Sequence, residues 1–137
     1  MAIDPPHSPA HQPTTPPPFT FRPHEHLRRP ADFKRVYDNR RSVSDNLLII
    51  YAAPNGLRYS RLGLSVSRKL GGAVRRNRLR RLFREAYRLT RGEMPTGLDL
   101  VLIPRSTTAP RLIDLMTALP KLVNQVARKL ARDAEAP

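Results

Sequence analysis

Between Ser67 and Arg91 the chain carries ten basic residues and a single acid, Glu85. Any helix through this stretch can bury only one side. On a wheel of about 100° per residue with Leu79 at the origin, Leu82, Phe83, Ala86 and Leu89 cluster on one side; Asn77, Arg80, Arg81, Arg84, Arg88 and Arg91 cluster on the other. The predicted helix, from about Ala73 to Thr90, must therefore lie on the outside of a layered domain with its apolar stripe inward. Arg80, Arg84 and Arg88 repeat at i+4, which stacks like charges and is destabilising in isolation. A polyanion would relieve that repulsion. Nearly all the cations are arginine, whose planar guanidinium grips phosphate with two donors, where lysine acts as a point charge. A merely solvated face usually interleaves Glu with Lys. A membrane-surface helix would need its apolar side for lipid and often carries Trp, which is absent here.

The rest of the chain supplies the layers. Pro30-Ala31-Asp32-Phe33 has the proline and first-turn acid of a helix start, and Phe33, Val36, Tyr37 and Arg40 continue at helical spacing, so a helix is predicted over 30–40. Asn46 to Tyr51 is a short apolar run ending at the turn Pro54-Asn55-Gly56, which predicts a strand. Arg58 to Ser67 alternates in its second half: Leu62, Leu64 and Val66 point one way, Gly63, Ser65 and Ser67 the other. That predicts a second strand, paired with the first as a hairpin. Gly71-Gly72 breaks it before the arginine helix. Leu98 to Ile103 reads as a buried strand ended by Pro104. A last helix is predicted over 111–132, with Pro120 either kinking it or starting a new helix. A short extra strand near Arg41 to Ser44 is also compatible. The order α-β-β-α-β-α indicates an α+β sandwich, a sheet with helices packed on it.

The first 23 residues differ. They hold eight of the fifteen prolines and few apolar residues. Proline removes backbone donors and fixes φ, so neither helix nor sheet propagates there. A disordered Pro-rich tail over 1–25 is expected, followed by one folded domain over 26–133. The arginine stretch holds nine of the fourteen net positive charges of a 137-residue chain of pI about 11.5. There is no cysteine, so disulfides and thiolate metal sites are excluded. No apolar run approaches the roughly 20 residues of a membrane span, and the first residues lack the order of a signal peptide. A cytoplasmic protein is expected.

The aromatic residues suggest a second site. Phe33 and Tyr37 are one helical turn apart, and Tyr51 shares a strand side with Leu47 and Ile49. If that side faces the first helix, these aromatics and the small residues Gly63, Ser65 and Ser67 line a groove. Aromatic faces beside arginine hold single-stranded nucleic acid, at roughly 1–3 kcal/mol per stacked base. Core packing of Phe33 and Tyr37 is the alternative. No phosphate-binding glycine loop is present, since Gly71-Gly72 lacks the spacing. His24-Glu25-His26 lacks the helical spacing of a zinc motif and reads as incidental. The remaining acids are scattered, and no nucleophile stands with a base. The chain reads as a binder without catalytic residues of its own.

One stretch is more specific than its composition. Gly63-Leu64-Ser65-Val66-Ser67-Arg68-Lys69-Leu70-Gly71-Gly72-Ala73-Val74-Arg75-Arg76-Asn77-Arg78, with Leu79 to Glu85 after it, resembles the signature of the bacterial ribonuclease P protein component. That family shows a G-L-S-V-S-K-K strand end, a G-N-A-V turn and an R-N-R helix. Asp32-Phe33-Lys34-Arg35-Val36-Tyr37 resembles its D-F-x-x-V-F/Y helix. The likeness runs from about Leu27 to Ile103. It implies an α-β sandwich of ribosomal-protein type, with a central, mostly antiparallel sheet and a left-handed βαβ crossover around the arginine helix, against the usual right-handed rule. It implies a subunit of an endoribonuclease that removes the 5′ leader of precursor tRNA, with hydrolysis performed by a catalytic RNA subunit and Mg²⁺ bound mainly by that RNA. Arg76, Asn77, Arg78, Arg80, Arg81, Arg84 and Arg88 would contact the RNA subunit. Phe33, Tyr37, Ile49, Tyr51, Ser65 and Lys69 would line a leader cleft. No catalytic residue is implied on this chain, and metal ligands on it stay open. Gly72 departs from the family's usual Asn, and the Pro-rich tail and Pro120 are not part of its pattern. A ribosomal-type protein or general RNA chaperone is the competing reading.

Overall fold

The computed structural model describes residues 21–105 and 109–135. The expected disorder of residues 1–20 lies outside them. Three helices, α1 (Pro30–Asp38), α2 (Ala73–Thr90) and α3 (Leu112–Glu135), accompany four strands, β1 (Ser42–Ser44), β2 (Leu48–Pro54), β3 (Arg61–Leu64) and β4 (Leu98–Pro104). The strands form one sheet in the order β1-β2-β4-β3. β2 is antiparallel to both β1 and β4, and β3 is parallel to β4.

This order corrects one expectation. β2 and β3 are not a hairpin; β4 lies between them. The reason is the composition of β4. Leu100 and Leu102 need cover on one face, and Val101 needs it on the other. A strand buried on both faces belongs in the middle of a sheet. β3 is four residues long and contains Arg61 and Gly63, so it suits the edge. The hairpin present is β1–β2, with Val43 opposite Ile50.

The pleat sorts the side chains. Leu48, Ile50 and Ala52 of β2, Leu62 of β3, and Leu100 and Leu102 of β4 face α2 and α3, and form the main core with Leu79, Phe83, Leu115, Leu119 and Val123. The opposite face carries Ile49, Tyr51, Ala53, Val101, Ile103 and Gly63, and α1 packs there through Val36, Phe33 and Tyr37, together with Leu27 from the segment before it. The Leu62 carbonyl points away from β4 and accepts from the Leu27 N–H, while its side chain points to α2. For L-residues, that places β4 to the left of an upward β3 seen from α2. The β3–α2–β4 crossover is therefore left-handed, contrary to the common preference.

α3 runs unbroken through Pro120, so the helix is not split there. Pro120 has no N–H to give to the Met116 carbonyl, and its own carbonyl accepts from Asn124 Nδ2 at 2.7 Å. Residues 21–25, assigned by the sequence to the tail, belong to the domain. Pro23–Glu25 form a short helical turn, and buried Glu25 accepts from Arg91 Nη1 at 3.1 Å and also from Nη2. Burial pushes the Glu25 carboxyl up, but the bonds from Arg91 and from the Arg22 N–H outweigh it and hold its pKa below the ordinary value.

A buried carboxylate ties the layers together. Asp99, fully buried on β4, accepts from Arg61 Nε at 2.9 Å and Nη2 at 2.7 Å, from Asn55 Nδ2 at 2.9 Å, and from Arg35 of α1. A buried charge is tolerated only when paired and hydrogen-bonded in this way. A buried strand over 98–103, as the sequence predicts, thus contains a charge at Asp99.

Candidate nucleic-acid interface

α2 begins where Gly71, at φ +127°, turns the chain in a region that disfavours side chains. Gly72 is its N-cap and offers no side chain to the first-turn N–H groups. The buried side of α2 is Leu79, Phe83, Ala86, Tyr87 and Thr90, while Leu82 and Leu89 are only half-buried. The helix is thus rotated toward Tyr87 relative to the predicted stripe. Burial pushes the Tyr87 hydroxyl up to about 12, so it stays neutral.

The rotation divides the arginines. Arg78, Arg81 and Arg84 are exposed and have no hydrogen-bond or ion-pair partner among the described residues. Arg80 donates to Asn77 Oδ1 at 2.9 Å, and Arg76 Nε donates to the Gly71 carbonyl at 3.2 Å. Arg88 grips Glu85 with two bonds, at 3.1 and 2.8 Å. That bond, its first cause, raises the Arg88 pKa and lowers that of Glu85. Arg91, placed by the wheel among the outward cations, is instead the partner of Glu25. Asn77, Arg80, Arg81, Arg84 and Arg88 line one depression of about 310 Å³, with Phe21 at its side.

The aromatic residues meet across the other face of the sheet. Tyr37 and Tyr51 make an edge-to-face contact with ring centroids 5.1 Å apart. Phe33, Tyr37, Tyr51 and Ile103 are all half-buried against Leu27, Val36, Ala53 and Val101. They are neither plain core nor free surface. Ile49 and Ser65 are half-buried, and the pleat puts both on this face. The Ser65 N–H donates to the Leu102 carbonyl at 3.0 Å, which extends β3 by one rung. Lys69 is exposed on the short helical turn Arg68–Leu70, whose N-cap Ser67 accepts from the Lys69 N–H at 3.1 Å. Among the described residues, no hydrogen bond or ion pair ties the Lys69 side chain to the aromatic group.

A second concavity, about 410 Å³, lies at the outer edge of β3. It is lined by His26, Arg28, Phe33, Gly63 and Arg84 among others, so it runs from the aromatic face to α2. Sequence reasoning passed over Arg28 and read His26 as incidental. The signal was the alternation around buried Leu27, whose N–H bonds to β3. The histidines of His24-Glu25-His26 also diverge. His24 meets Tyr59 edge-on at 4.8 Å, and His26 stacks on Phe21 at 3.9 Å.

A sheet with a short aromatic-bearing helix on one face, and an arginine helix crossing between parallel strands on the other, defines the α-β sandwich class of ribonuclease P proteins. Solved RNase P proteins share it. The RNase P protein of Thermotoga maritima superposes with a TM-score of 0.67 at 34% identity, covering 74% of this chain and 96% of that one. The Staphylococcus aureus RNase P protein gives 0.64 at 30% identity, covering 75% and 94%. The Ribonuclease P family model matches residues 21–127. The ribonuclease P protein component of Thermotoga maritima is 39% identical over 112 residues, 80% of this chain and 94% of its own length. That of Alkaliphilus metalliredigens is 46% identical over 79 residues, 58% and 71% respectively. The chain belongs to the ribonuclease P protein family.

Proposed function

We propose that the chain is the protein subunit of ribonuclease P, that it binds the catalytic RNA subunit through α2, and that it holds the 5′ leader of precursor tRNA in the aromatic groove. The observation that supports this reading most is the pairing of two unlike surfaces on one small domain. One is a helix face that carries Arg78, Arg81 and Arg84, guanidinium groups without a partner among the described residues, suited to duplex or folded RNA backbone. The other is a half-buried aromatic groove, suited to stacked single-stranded bases.

The chemistry of cleavage belongs to the RNA in this proposal. Magnesium in such a reaction neutralises phosphate charge and activates the attacking water. Among the described residues no three His, Asp or Glu side chains converge into a metal cage. The chain's own part is positioning: Arg78, Arg81 and Arg84 neutralise backbone phosphate, and Phe33, Tyr37 and Tyr51 orient the leader. No helix among the described residues is long and apolar enough to cross a membrane.

Reconstitution tests the proposal. The chain alone should not cut precursor tRNA, and adding it to the RNA subunit should restore cleavage at low Mg²⁺. The reconstituted particle should bind precursor tRNA more tightly than mature tRNA. An RNA subunit indifferent to the protein would refute the assignment. Equal affinity for the two tRNA forms would remove the leader groove and favour a general RNA chaperone.

A further inference from the structure

The concavity at the outer edge of β3 belongs neither to the aromatic groove nor to the exposed face of α2, yet it touches both. Gly63, Phe33, Leu27, Leu62 and Leu64 supply its apolar lining. Arg28 enters from the segment before α1 and Arg84 from α2. Both are exposed, and neither has an ion-pair or hydrogen-bond partner among the described residues. No acid lines the pocket. Other arginines of the domain do have carboxylates: Asp99 pairs with Arg61 and Arg35, Glu25 with Arg91 and Glu85 with Arg88, and the Arg41 guanidinium pairs with Asp133. Here two like charges face one cavity uncompensated, an arrangement that an entering anion stabilises.

We propose that this pocket is a phosphate-binding subsite for RNA, in which Arg28 and Arg84 hold one backbone phosphate and Phe33 bounds the adjoining nucleotide. The proposal rests on the ribonuclease P reading and adds a contact that joins the two surfaces. A strand lying in the aromatic groove would continue past Phe33, around the sheet edge, toward α2. The volume of about 410 Å³ is in the range of small-ligand sites. His26 reports on the same space. Burial first, then the positive charges of Arg28 and Arg84, lower its pKa, against a smaller opposing effect of Glu25. A bound phosphate would offset both guanidinium groups.

The phosphate can come from the leader or from the RNA subunit, and the experiment separates them. In the holoenzyme, Arg28→Ala should weaken RNA binding about tenfold, the order expected of a charged hydrogen bond, and should lower the salt slope by about one. Arg28→Lys should recover the slope and only part of the affinity. A loss seen with precursor but not mature tRNA assigns the phosphate to the leader. A loss in protein–RNA subunit affinity assigns it to that RNA. The free protein provides a second arm: a five-residue single-stranded oligoribonucleotide should raise the His26 pKa followed by NMR, and Arg28→Ala should abolish the rise. Wild-type protein that activates the RNA subunit, with Arg28→Ala unchanged in slope and affinity, would overturn the subsite and leave the ribonuclease P reading intact. Wild-type protein without effect on the RNA subunit would overturn that reading. The NMR arm would then decide the subsite by itself, and an unmoved His26 pKa would reject it.

Discussion

Phe33 lies directly on Gly63: a Cβ added at Gly63 would come within 2.6 Å of the ring Cζ and 3.1 Å of Leu27 Cβ. The ring of α1 thus uses the bare backbone of edge strand β3 as its seat. Gly63→Ala should force the ring outward and cost roughly 1–3 kcal/mol by overpacking. Because Phe33 is proposed to meet the leader, the same variant should lose affinity for precursor tRNA more than for mature tRNA. Urea denaturation checks the first effect and holoenzyme binding the second. A stability loss with equal effects on both tRNA forms would make Phe33 a packing residue only.

Asp99 bonds to groups from three other segments: Arg35 of α1, Arg61 of β3 and Asn55 of the turn after β2. Asp99→Asn keeps the shape and removes the charge, which leaves two guanidinium groups without their common partner. Breaking a buried pair from one side costs on the order of 3–5 kcal/mol. Partial exposure of Arg35 and Arg61 puts the expectation at the lower end. A fall in the urea midpoint of less than about 1 kcal/mol equivalent would show that the carboxylate does not organise the layers.

The Glu25–Arg91 pair carries a pH signature. The folded-state pKa of Glu25 is depressed below its ordinary 4.5. Its contribution to stability is therefore fully present above about pH 4.5 and is lost as pH falls through the lower folded value. Thermal unfolding of wild type and Glu25→Gln should differ most near neutrality, and the gap should close in acid. A gap independent of pH would mean that packing of the turn at 23–25, not its charge, fixes it to α2.

Gly72 is the helix N-cap, and the space where its Cβ would stand is open to 4 Å, so a side chain fits there. In Gly72→Asn, the new side-chain oxygen would accept from first-turn N–H groups. The gain over glycine should be a few tenths of a kcal/mol. It would be read as a small upward shift in the denaturation midpoint; a decrease would show that Gly72 is needed for the turn itself.

What was legible in the sequence followed periodicity. The stripe of Leu79, Phe83 and Ala86 and the alternation of Leu62 and Gly63 placed α2 and β3, because each element exposes one face and buries the other. Pairing was not legible. Nothing local in β2 or β3 states that β4 will separate them; that depends on the two-sided burial of Leu100, Val101 and Leu102, a property of the assembled sheet. Periodicity likewise set Arg91 among the outward cations, because its partner Glu25 lies 66 residues away. The edge pocket needed four segments to meet, the stretch 26–28, α1, β3 and α2, so neither Arg28 nor His26 carried any signal of it alone. The aromatic residues were the intermediate case: spacing grouped Phe33 with Tyr37, but only the fold brought Tyr51 against them.

The partition of arginines on α2 separates those proposed to touch phosphate from those paired internally. Arg81 is exposed and unpartnered among the described residues, while Arg88 grips Glu85. Arg81→Ala should remove one phosphate contact and lower the magnitude of the salt slope by about 0.7–0.9. Arg88→Ala should do more harm than its own contact explains, because it frees the Glu85 carboxylate, now unshielded, toward the RNA. The repulsion of that carboxylate then adds to the lost attraction. Glu85→Ala in the Arg88→Ala background should therefore recover part of the affinity, although it restores no contact. The cycle is read from binding of the RNA subunit at several salt concentrations. No recovery in the double variant would mean that Glu85 does not face the RNA. An unchanged slope in Arg81→Ala would take that arginine out of the interface.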